Sequence, residues 1–275
     1  MVLTALAMIA FAANSLLCRM ALAGGEIDPG TFALVRVASG AATLAAIVFA
    51  RRGITRWRPD WKAAAALTGY LVFFSFAYVG LTAGTGALIL FGAVQLTMFA
   101  AALKSGERLP PLGWAGLAVA AAGLVVLVAP GVSAPRPLPA AAMAVAGIAW
   151  GLYSLLGRGA GDPLEATARN FLWATVLVAP VGLFYGGVVT SSATGIALAL
   201  ASGVLASGLG YVIWYAALAG LTAGSAATVQ LSVPVIAALG GVVFLGEALT
   251  ARLLVASAAT LGGIALVLSL RRPAS

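Results

Sequence analysis

The chain has 275 residues, of which 63% are hydrophobic and only 8% are charged, and its formal net charge is +8. An average soluble domain is roughly half apolar and about a quarter charged, so this composition excludes a soluble globular fold. The sequence has no His and a single Cys, Cys18, which excludes a His-dependent catalytic dyad, a His-ligated haem and a Cys-rich metal site. We therefore expect no cofactor and no enzymatic activity.

Ten apolar runs follow one another along the chain, separated by charges and by Gly or Pro clusters. A bilayer core about 30 Å thick needs about 20 helical residues, and each run has about that length. The predicted helices span residues 2–20, 31–50, 63–81, 86–104, 112–129, 138–156, 168–186, 195–218, 223–246 and 251–270. The runs are too uniformly apolar for barrel strands, and the first lacks the basic start of a secretory signal. The fold class is an all-α integral membrane protein.

The two halves of the sequence repeat each other. The segment Gly80–Gly84 recurs letter for letter as Gly220–Gly224, 140 residues later. Further matches pair Gly106-Glu107 with Gly246-Glu247, Asp28-Pro29 with Asp162-Pro163, and the segment Ser15–Arg19 with Ser154–Arg158. We predict a first five-helix repeat over residues 1–135 and a second over 136–275. Because five is an odd number, the copies enter the membrane from opposite sides and form an inverted 5+5 repeat.

The basic residues are distributed unevenly between the two sides of the predicted bundle. With the N-terminus inside the cell, eleven basic residues face the cytoplasm: Arg51, Arg52, Arg56, Arg58, Lys62, Lys104, Arg108, Arg158, Arg169, Arg271 and Arg272. Only Arg19, Arg136 and Arg252 face the other side, and Arg36 falls inside the second helix. This asymmetry fits the positive-inside rule and predicts a multi-pass protein of the inner (plasma) membrane with both termini cytoplasmic. The basic residues thus indicate a lipid bilayer rather than a nucleic acid as partner.

Several short motifs resemble a known transporter family. Pro234-Val235-Ile236, then Phe244–Thr250 and Gly262-Gly263, resemble the end of an EamA-type unit of the drug/metabolite transporter superfamily. Ala149–Ser154 resembles the opening helix of that unit, and Ala33–Arg36 resembles its second helix, where an Arg is typical. Within the superfamily the chain looks most like the YddG-type exporters of aromatic and other neutral amino acids. It departs from the pattern in its first helix, which lacks the usual Trp-Gly.

Polar and aromatic residues inside the predicted helices are the candidates for substrate binding, because transporters with inverted repeats bind near the midplane. On the first helix Phe11, Asn14 and Ser15 share a face with Cys18, and Trp150 and Tyr153 stand at the corresponding places of the second repeat. An ionisable residue within a membrane helix is a functional hypothesis in its own right. The predicted substrate-binding residues are Phe11, Asn14, Ser15, Arg36, Phe74, Tyr78, Gln95, Trp150, Tyr153, Tyr211, Trp214 and Gln230.

The resemblance and these residues predict a secondary transporter that exports small metabolites, aromatic or neutral amino acids first among them, by alternating access. The alternatives are an exporter of another class of compound, such as a sugar, a nucleotide derivative or a drug, and a channel. A channel fits less well because selectivity filters repeat around an axis, which one inverted pair does not provide. The expected partners are a small-molecule substrate and the lipid bilayer, with no obligatory protein partner.

Overall fold

The fold is a bundle of ten long helices, seen in a computed structural model that describes residues 1–53, 58–157, 161–186, 191–221 and 223–270. The helices are α1 Val2–Ala23, α2 Pro29–Arg52, α3 Trp61–Tyr78, α4 Ala83–Lys104, α5 Pro111–Val128, α6 Pro137–Leu156, α7 Pro163–Gly186, α8 Ala193–Leu218, α9 from Ala223–Gln230 into Ser232–Leu245, and α10 Ala251–Leu270. No β-strand occurs within these ranges. The predicted all-α membrane fold is confirmed.

The ends of the helices follow from local capping chemistry. Asp28 accepts a hydrogen bond from the Thr31 amide and caps α2, and Asp60 caps α3 in the same way through the Ala63 amide. The largest difference from the predicted bounds is the start of α7, at Pro163 rather than at residue 168. The prediction treated the charges of that stretch as a loop, whereas a Pro in the first turn and an acidic residue after it favour a helix start.

Nine of the helices meet the length and hydropathy expected of a membrane span, and α3 is the one that falls short among the described residues. Its first two residues, Trp61 and Lys62, are polar enough to lower the mean. All the same, α3 is packed inside the bundle, with Leu67, Phe74 and Tyr78 fully buried. We therefore count ten spans, the number that the sequence predicts.

Two helices depart from regular α-geometry near the middle of the bundle. Residues Ser202–Leu209 of α8 form a π-helical segment, a rare geometry that is frequent at functional sites. In α9 the helix is interrupted at Leu231, three residues before Pro234. Proline has no backbone N–H, so the carbonyl of Gln230 loses its partner in the next turn. The interruption of α9 is therefore a consequence of Pro234.

Ion pairs join the helix ends that should lie on the same side of the membrane. Arg19, at the end of α1, pairs with Glu247, after α9, at an Nε–Oε1 distance of 3.1 Å. Arg52, at the end of α2, pairs with Asp162, before α7, at 2.6 Å. We call these two sides the Arg19 end and the Arg52 end. The pairing agrees with helices that alternate in direction, as ten consecutive membrane spans must.

The helices that correspond between the two halves also contact each other, as a two-fold axis in the membrane requires. At the α5–α10 contact a Cβ on Gly263 would lie 2.4 Å from the carbonyl oxygen of Gly116, and one on Gly123 would lie 2.9 Å from that of Ala256. A shift of 140 residues converts one of these contacts into the other. The inverted repeat is thus visible in the packing, while the division at residues 135 and 136 stays a prediction.

Some of the sequence-based assignments fall outside the described residues. They concern the basic residues Arg56, Arg158, Arg271 and Arg272. The same holds for Thr222, in the second copy of the repeated five-residue segment. In the first copy Thr82 caps α4 by accepting a hydrogen bond from the Thr85 amide.

Candidate substrate-binding site

A small cavity lies in the middle of the bundle, where side chains of α1, α2, α3, α4, α6 and α8 meet. It is lined by Phe11, Asn14, Ser15, Arg36, Tyr70, Phe74, Leu90, Phe91, Trp150, Ala206, Ser207 and Tyr211. Both halves of the chain contribute, as expected of a site on the pseudo-two-fold axis. The cavity has a volume of about 10 Å³, room for about one water molecule. An amino acid therefore fits only after the lining side chains or the helices separate.

A continuous set of hydrogen bonds forms the polar part of the cavity. Ser202 donates to Oδ1 of Asn14 at 2.6 Å, and Nδ2 of Asn14 donates to the hydroxyl of Tyr70 at 3.2 Å. Arg36 donates from Nη2 to the same hydroxyl at 2.8 Å and from Nε to the Ser207 hydroxyl at 3.3 Å. Four helices are thereby tied together through neutral groups and one guanidinium.

Aromatic rings form the apolar part of the cavity. Trp150 stacks on Tyr70 with centroids 5.2 Å apart and meets the edge of Phe91 at 5.4 Å. Phe11 lies between Trp150 and Tyr211, at centroid distances of 6.2 and 5.8 Å. Edge-to-face contacts of this kind hold rings in place without fixing them rigidly. Such a wall can surround an apolar or aromatic side chain of a substrate.

The π-helical segment of α8 brings this helix unusually close to α2. A Cβ on Gly203 would lie 2.3 Å from the carbonyl oxygen of Arg36 and closer still to the Ser39 hydroxyl, so only glycine fits there. On the same segment Ser202 and Ser207 are buried and point to Asn14 and Arg36. The irregular helix thus supplies two hydroxyls to the polar network that a straight helix would present at a different angle.

Seven of the twelve predicted binding residues line the cavity: Phe11, Asn14, Ser15, Arg36, Phe74, Trp150 and Tyr211. Trp214 packs behind them, with its ring 5.8 Å from that of Phe11. Tyr78 lies at the Arg19 end, where its hydroxyl donates to the Ala83 carbonyl at 3.3 Å. Gln95 is buried on α4 away from the lining, and Gln230 precedes the interruption of α9. Tyr78, Gln95 and Gln230 therefore do not belong to the cavity in this conformation.

Tyr153, also predicted, belongs to a second polar cluster nearer the Arg52 end. It lies beside Thr167 and Asn170, and Thr167 shares a hydrogen bond of 2.6 Å with the Tyr215 hydroxyl. The repeat relates this cluster to the cavity: the shift that pairs Asp28 with Asp162 pairs Arg36 with Asn170. The equivalent of the guanidinium is therefore a neutral amide, whose Oδ1 is buried without a hydrogen-bond partner among the described residues.

The prediction from sequence missed four lining residues that complete the site: Tyr70, Phe91, Ala206 and Leu90. Ser207 lines the cavity as well and was not among the predicted residues. One signal was available for Tyr70, since Tyr70 and Phe74 stand four residues apart and so share a helix face. The same signal was available for Phe91, which stands four residues before the predicted Gln95 on α4.

At the Arg19 end of the bundle, polar contacts join helices that also line the cavity. Glu247 accepts hydrogen bonds from Nε of Arg19 at 3.1 Å and from the Ala83 amide, at the start of α4, at 2.8 Å. Arg19 also donates to the carbonyl of Tyr78, at the end of α3, at 3.0 Å. A Cβ on Gly84 would lie 2.7 Å from that of Ala238, so α4 and α9 touch here. One carboxylate thus joins α1, α4 and the segment after α9.

A multi-pass bundle with inverted repeats and a central polar and aromatic cavity is typical of secondary membrane transporters. A solved crystal structure shares this fold, with a TM-score of 0.68 and 25% identity over 96% of this chain and 98% of that one. Residues 138–269, most of the second repeat, match the EamA-like transporter family. The second half of the chain thus carries an EamA-like transporter domain, as its motifs predict.

Three relatives illustrate the range of similarity. An uncharacterised protein of Pseudomonas aeruginosa is 53% identical over 98% of this chain and 95% of its own length. A probable terminal-alkyne amino-acid exporter of Streptantibioticus cattleyicolor is 29% identical over 77% of this chain and 74% of that protein. The threonine/homoserine exporter RhtA of Escherichia coli is 30% identical over 55% of this chain, a match that spans about half (52%) of the exporter.

Proposed function

We propose that this protein exports neutral amino acids, aromatic ones included, by binding them in the central cavity and opening to the two sides of the membrane in turn. The observation that supports this most directly is the composition of the cavity, which places a neutral hydrogen-bonding network and one guanidinium against a wall of aromatic rings. A zwitterion with an apolar or hydroxylated side chain needs both kinds of surface.

The relatives favour the same class of substrate. Two of them bear the names of amino-acid exporters, one for threonine and homoserine and one for a terminal-alkyne amino acid. Threonine and homoserine are neutral amino acids with small hydroxylated side chains, so they belong to the proposed class. A family resemblance alone does not fix a substrate, so the proposal rests on the cavity and uses the relatives to choose among compounds.

Counterflow in proteoliposomes tests the proposal. Vesicles with purified protein are loaded with unlabelled L-threonine or L-phenylalanine, and the uptake of the same labelled amino acid is followed. We expect saturable, transient accumulation, which a carrier produces and a channel does not. Uptake that rises in proportion to concentration would indicate a channel. The absence of counterflow with every neutral amino acid, alongside counterflow with a sugar or a nucleotide derivative, would reject the proposed substrate.

Cells provide the test of direction. We expect cells that overproduce the protein to lose preloaded labelled L-threonine or L-phenylalanine faster than cells with an empty vector. A faster uptake with unchanged loss would show an importer. The two measurements together separate the substrate from the direction of transport.

A further inference from the structure

Arg36 is a buried positive charge for which the protein supplies no carboxylate. Its exposed fraction is 2%, and it lies seven residues, or about 10 Å, from the start of α2. The seven acidic residues of the chain are all described, and all lie at helix ends or in connections: Glu26, Asp28, Asp60, Glu107, Asp162, Glu165 and Glu247. A buried charge without an opposite charge costs free energy of desolvation, so an Arg at this place indicates a functional role.

The hydrogen bonds of Arg36 leave donors free in the cavity. Nε and Nη2 donate to the hydroxyls of Ser207 and Tyr70, whereas Nη1 has no partner within the described chain. Both hydroxyl oxygens act as acceptors towards Arg36, so their own protons can be donated elsewhere. All three side chains line the cavity. This corner of the cavity therefore offers donors and positive charge, the combination that binds an anion.

Two aromatic rings determine how an anion can approach. The guanidinium carbon of Arg36 lies 5.2 Å from the ring centre of Tyr70 and 4.8 Å from that of Phe74. With rings packed against it, the guanidinium is open to a ligand chiefly along its Nη1 edge. A carboxylate is planar and accepts hydrogen bonds in its own plane, so it fits such an edge well.

We propose that Arg36 binds the carboxylate of the transported substrate, an inference that rests on the proposed function and narrows its substrate class. The substrates are then compounds with a free carboxylate, while the corresponding amides, amino alcohols and amines are excluded. Asn14 donates to the same Tyr70 hydroxyl as Arg36, and its Oδ1 accepts only from Ser202 among the described contacts. That oxygen remains available to an ammonium group.

The wild-type protein allows a first test without any substitution. In the counterflow assay with labelled L-threonine, unlabelled L-threonine, L-threoninamide and L-threoninol compete for the site. A hydrogen bond to a charged group is lost with the carboxylate, so we expect the amide and the alcohol to compete about tenfold to a hundredfold more weakly. Equal competition by all three compounds would overturn the inference and leave the proposed function intact.

Substitutions then identify the residue. Arg36→Gln should lower the apparent affinity for L-threonine about tenfold or more and should remove the preference for L-threonine over L-threoninol. Tyr70→Phe keeps the ring and should lower the apparent affinity for L-threonine less. Ser39→Ala is the matched control, since Ser39 lies one turn further along α2 and donates to the Val35 carbonyl. If Arg36→Gln does not fold, Arg36→Lys keeps the charge and should retain part of the preference. An unchanged preference in Arg36→Gln, or a complete loss of preference in Arg36→Lys, would contradict the assignment.

A binding assay separates this inference from the proposed function. The thermal stability of the purified protein is measured with L-threonine, L-phenylalanine and propionate, and with their amides. Stabilisation by a carboxylate but not by its amide would support the binding of carboxylates by Arg36, even if no amino acid were transported. This stabilisation should be lost in Arg36→Gln. No stabilisation by any carboxylate in the wild type, or equal stabilisation by the amides, would reject it.

Discussion

At the scale of single residues, the cavity combines one charge with many rings. A guanidinium buried among apolar side chains is held by hydrogen bonds to Tyr70 and Ser207 and by the faces of two rings, contacts that offset only part of the cost of desolvation. An anion bound to Arg36 would offset the rest of this desolvation cost, so the site favours an anionic ligand over solvent. A charged group thus serves selectivity better here than a neutral amide would.

Trp150 is a central part of the aromatic cavity wall, with rings of three neighbours around it. We predict that Trp150→Ala lowers the rate of amino-acid counterflow at least about tenfold, because loss of a well-packed aromatic side chain costs about 3–5 kcal/mol of local packing. Transport per molecule is measured in proteoliposomes that contain equal amounts of protein.

The matched control for Trp150→Ala is Trp114→Ala. Trp114 lies on α5 with 52% of its surface exposed on the outside of the bundle. Its removal should leave transport nearly unchanged. Similar losses in both variants would show that the effect reflects general damage to the fold rather than the cavity.

The limits of sequence reasoning are clearest at Tyr70 and Tyr153. Both lie in helices that are apolar on most faces, so the pattern of side chains does not fix how each helix is rotated about its axis. The rotation is set by tertiary packing, which turns Tyr70 to the cavity and Tyr153 towards Thr167 and Asn170. Arg36 and Asn14 were predictable because a polar group within an apolar run stands out wherever the helix faces.

At the scale of helices, the ends were predictable and the irregularities were not. Charges and capping residues mark the ends, and most predicted bounds lie within a few residues of the observed ones. The π-helical segment has no such mark, because Ser202–Leu209 contains small and apolar residues that are equally compatible with a regular helix. The close approach of Gly203 to α2 explains the irregular segment only after the packing is known.

The contact of α5 with α10 gives a prediction about packing. A Cβ on Gly263 would lie 2.4 Å from the Gly116 carbonyl oxygen and 2.6 Å from the Ala120 amide nitrogen. We expect Gly263→Ala to destabilise the protein by about 1–3 kcal/mol, since overpacked helices must move apart. The unfolding temperature of the detergent-solubilised protein measures the effect.

Its neighbour in the chain provides the comparison. A Cβ on Gly262 would meet no atom within 4 Å, so Gly262→Ala should leave the unfolding temperature unchanged or raise it slightly. If the two variants unfold at the same temperature, the α5–α10 contact is not as close as described. This pair tests the packing without reference to transport.

The ion pair at the Arg19 end gives a prediction about opening. Glu247→Gln removes the charge that holds Arg19 and weakens the contact with the start of α4. We expect the bundle to open more often at this end, and the buried Cys18 beneath Arg19 to react about fivefold faster with a small thiol reagent. The rate of labelling in the purified protein measures the change.

The control for Glu247→Gln lies at the other end of the bundle. Glu165 is 3.5 Å from Arg52, and Glu165→Gln removes one of the two carboxylates that pair with Arg52 there. It should not increase the labelling of Cys18. An increase of equal size in both variants would mean that Cys18 becomes accessible through general loosening.

At the scale of the whole molecule, the inverted repeat was predictable because a duplicated sequence leaves recognisable pairs such as Gly80–Gly84 and Gly220–Gly224. The orientation in the membrane stays a prediction, since contacts between helices show which ends share a side but not which side is the cytoplasm. The distribution of basic residues supplies that prediction, with the Arg52 end inside.

Labelling of single cysteines in intact cells measures this orientation. On a Cys18→Ser background, we expect a membrane-impermeant thiol reagent to label Val132→Cys, in the exposed connection between α5 and α6, and not Arg58→Cys. After the cells are opened, both positions should react. The reverse pattern in intact cells would place both termini outside.

The pairing of Arg36 with Asn170 bears on the origin of the protein. Two separate copies of an ancestral five-helix chain, inserted in opposite directions, would carry every residue twice, including any buried Arg. Two guanidiniums close to one axis would repel each other in a medium of low polarity. In a single chain the two halves can differ, and here one half has Arg36 where the other has the neutral Asn170. A single chain can therefore carry one positive group near the axis, whereas a pair of identical chains would carry two.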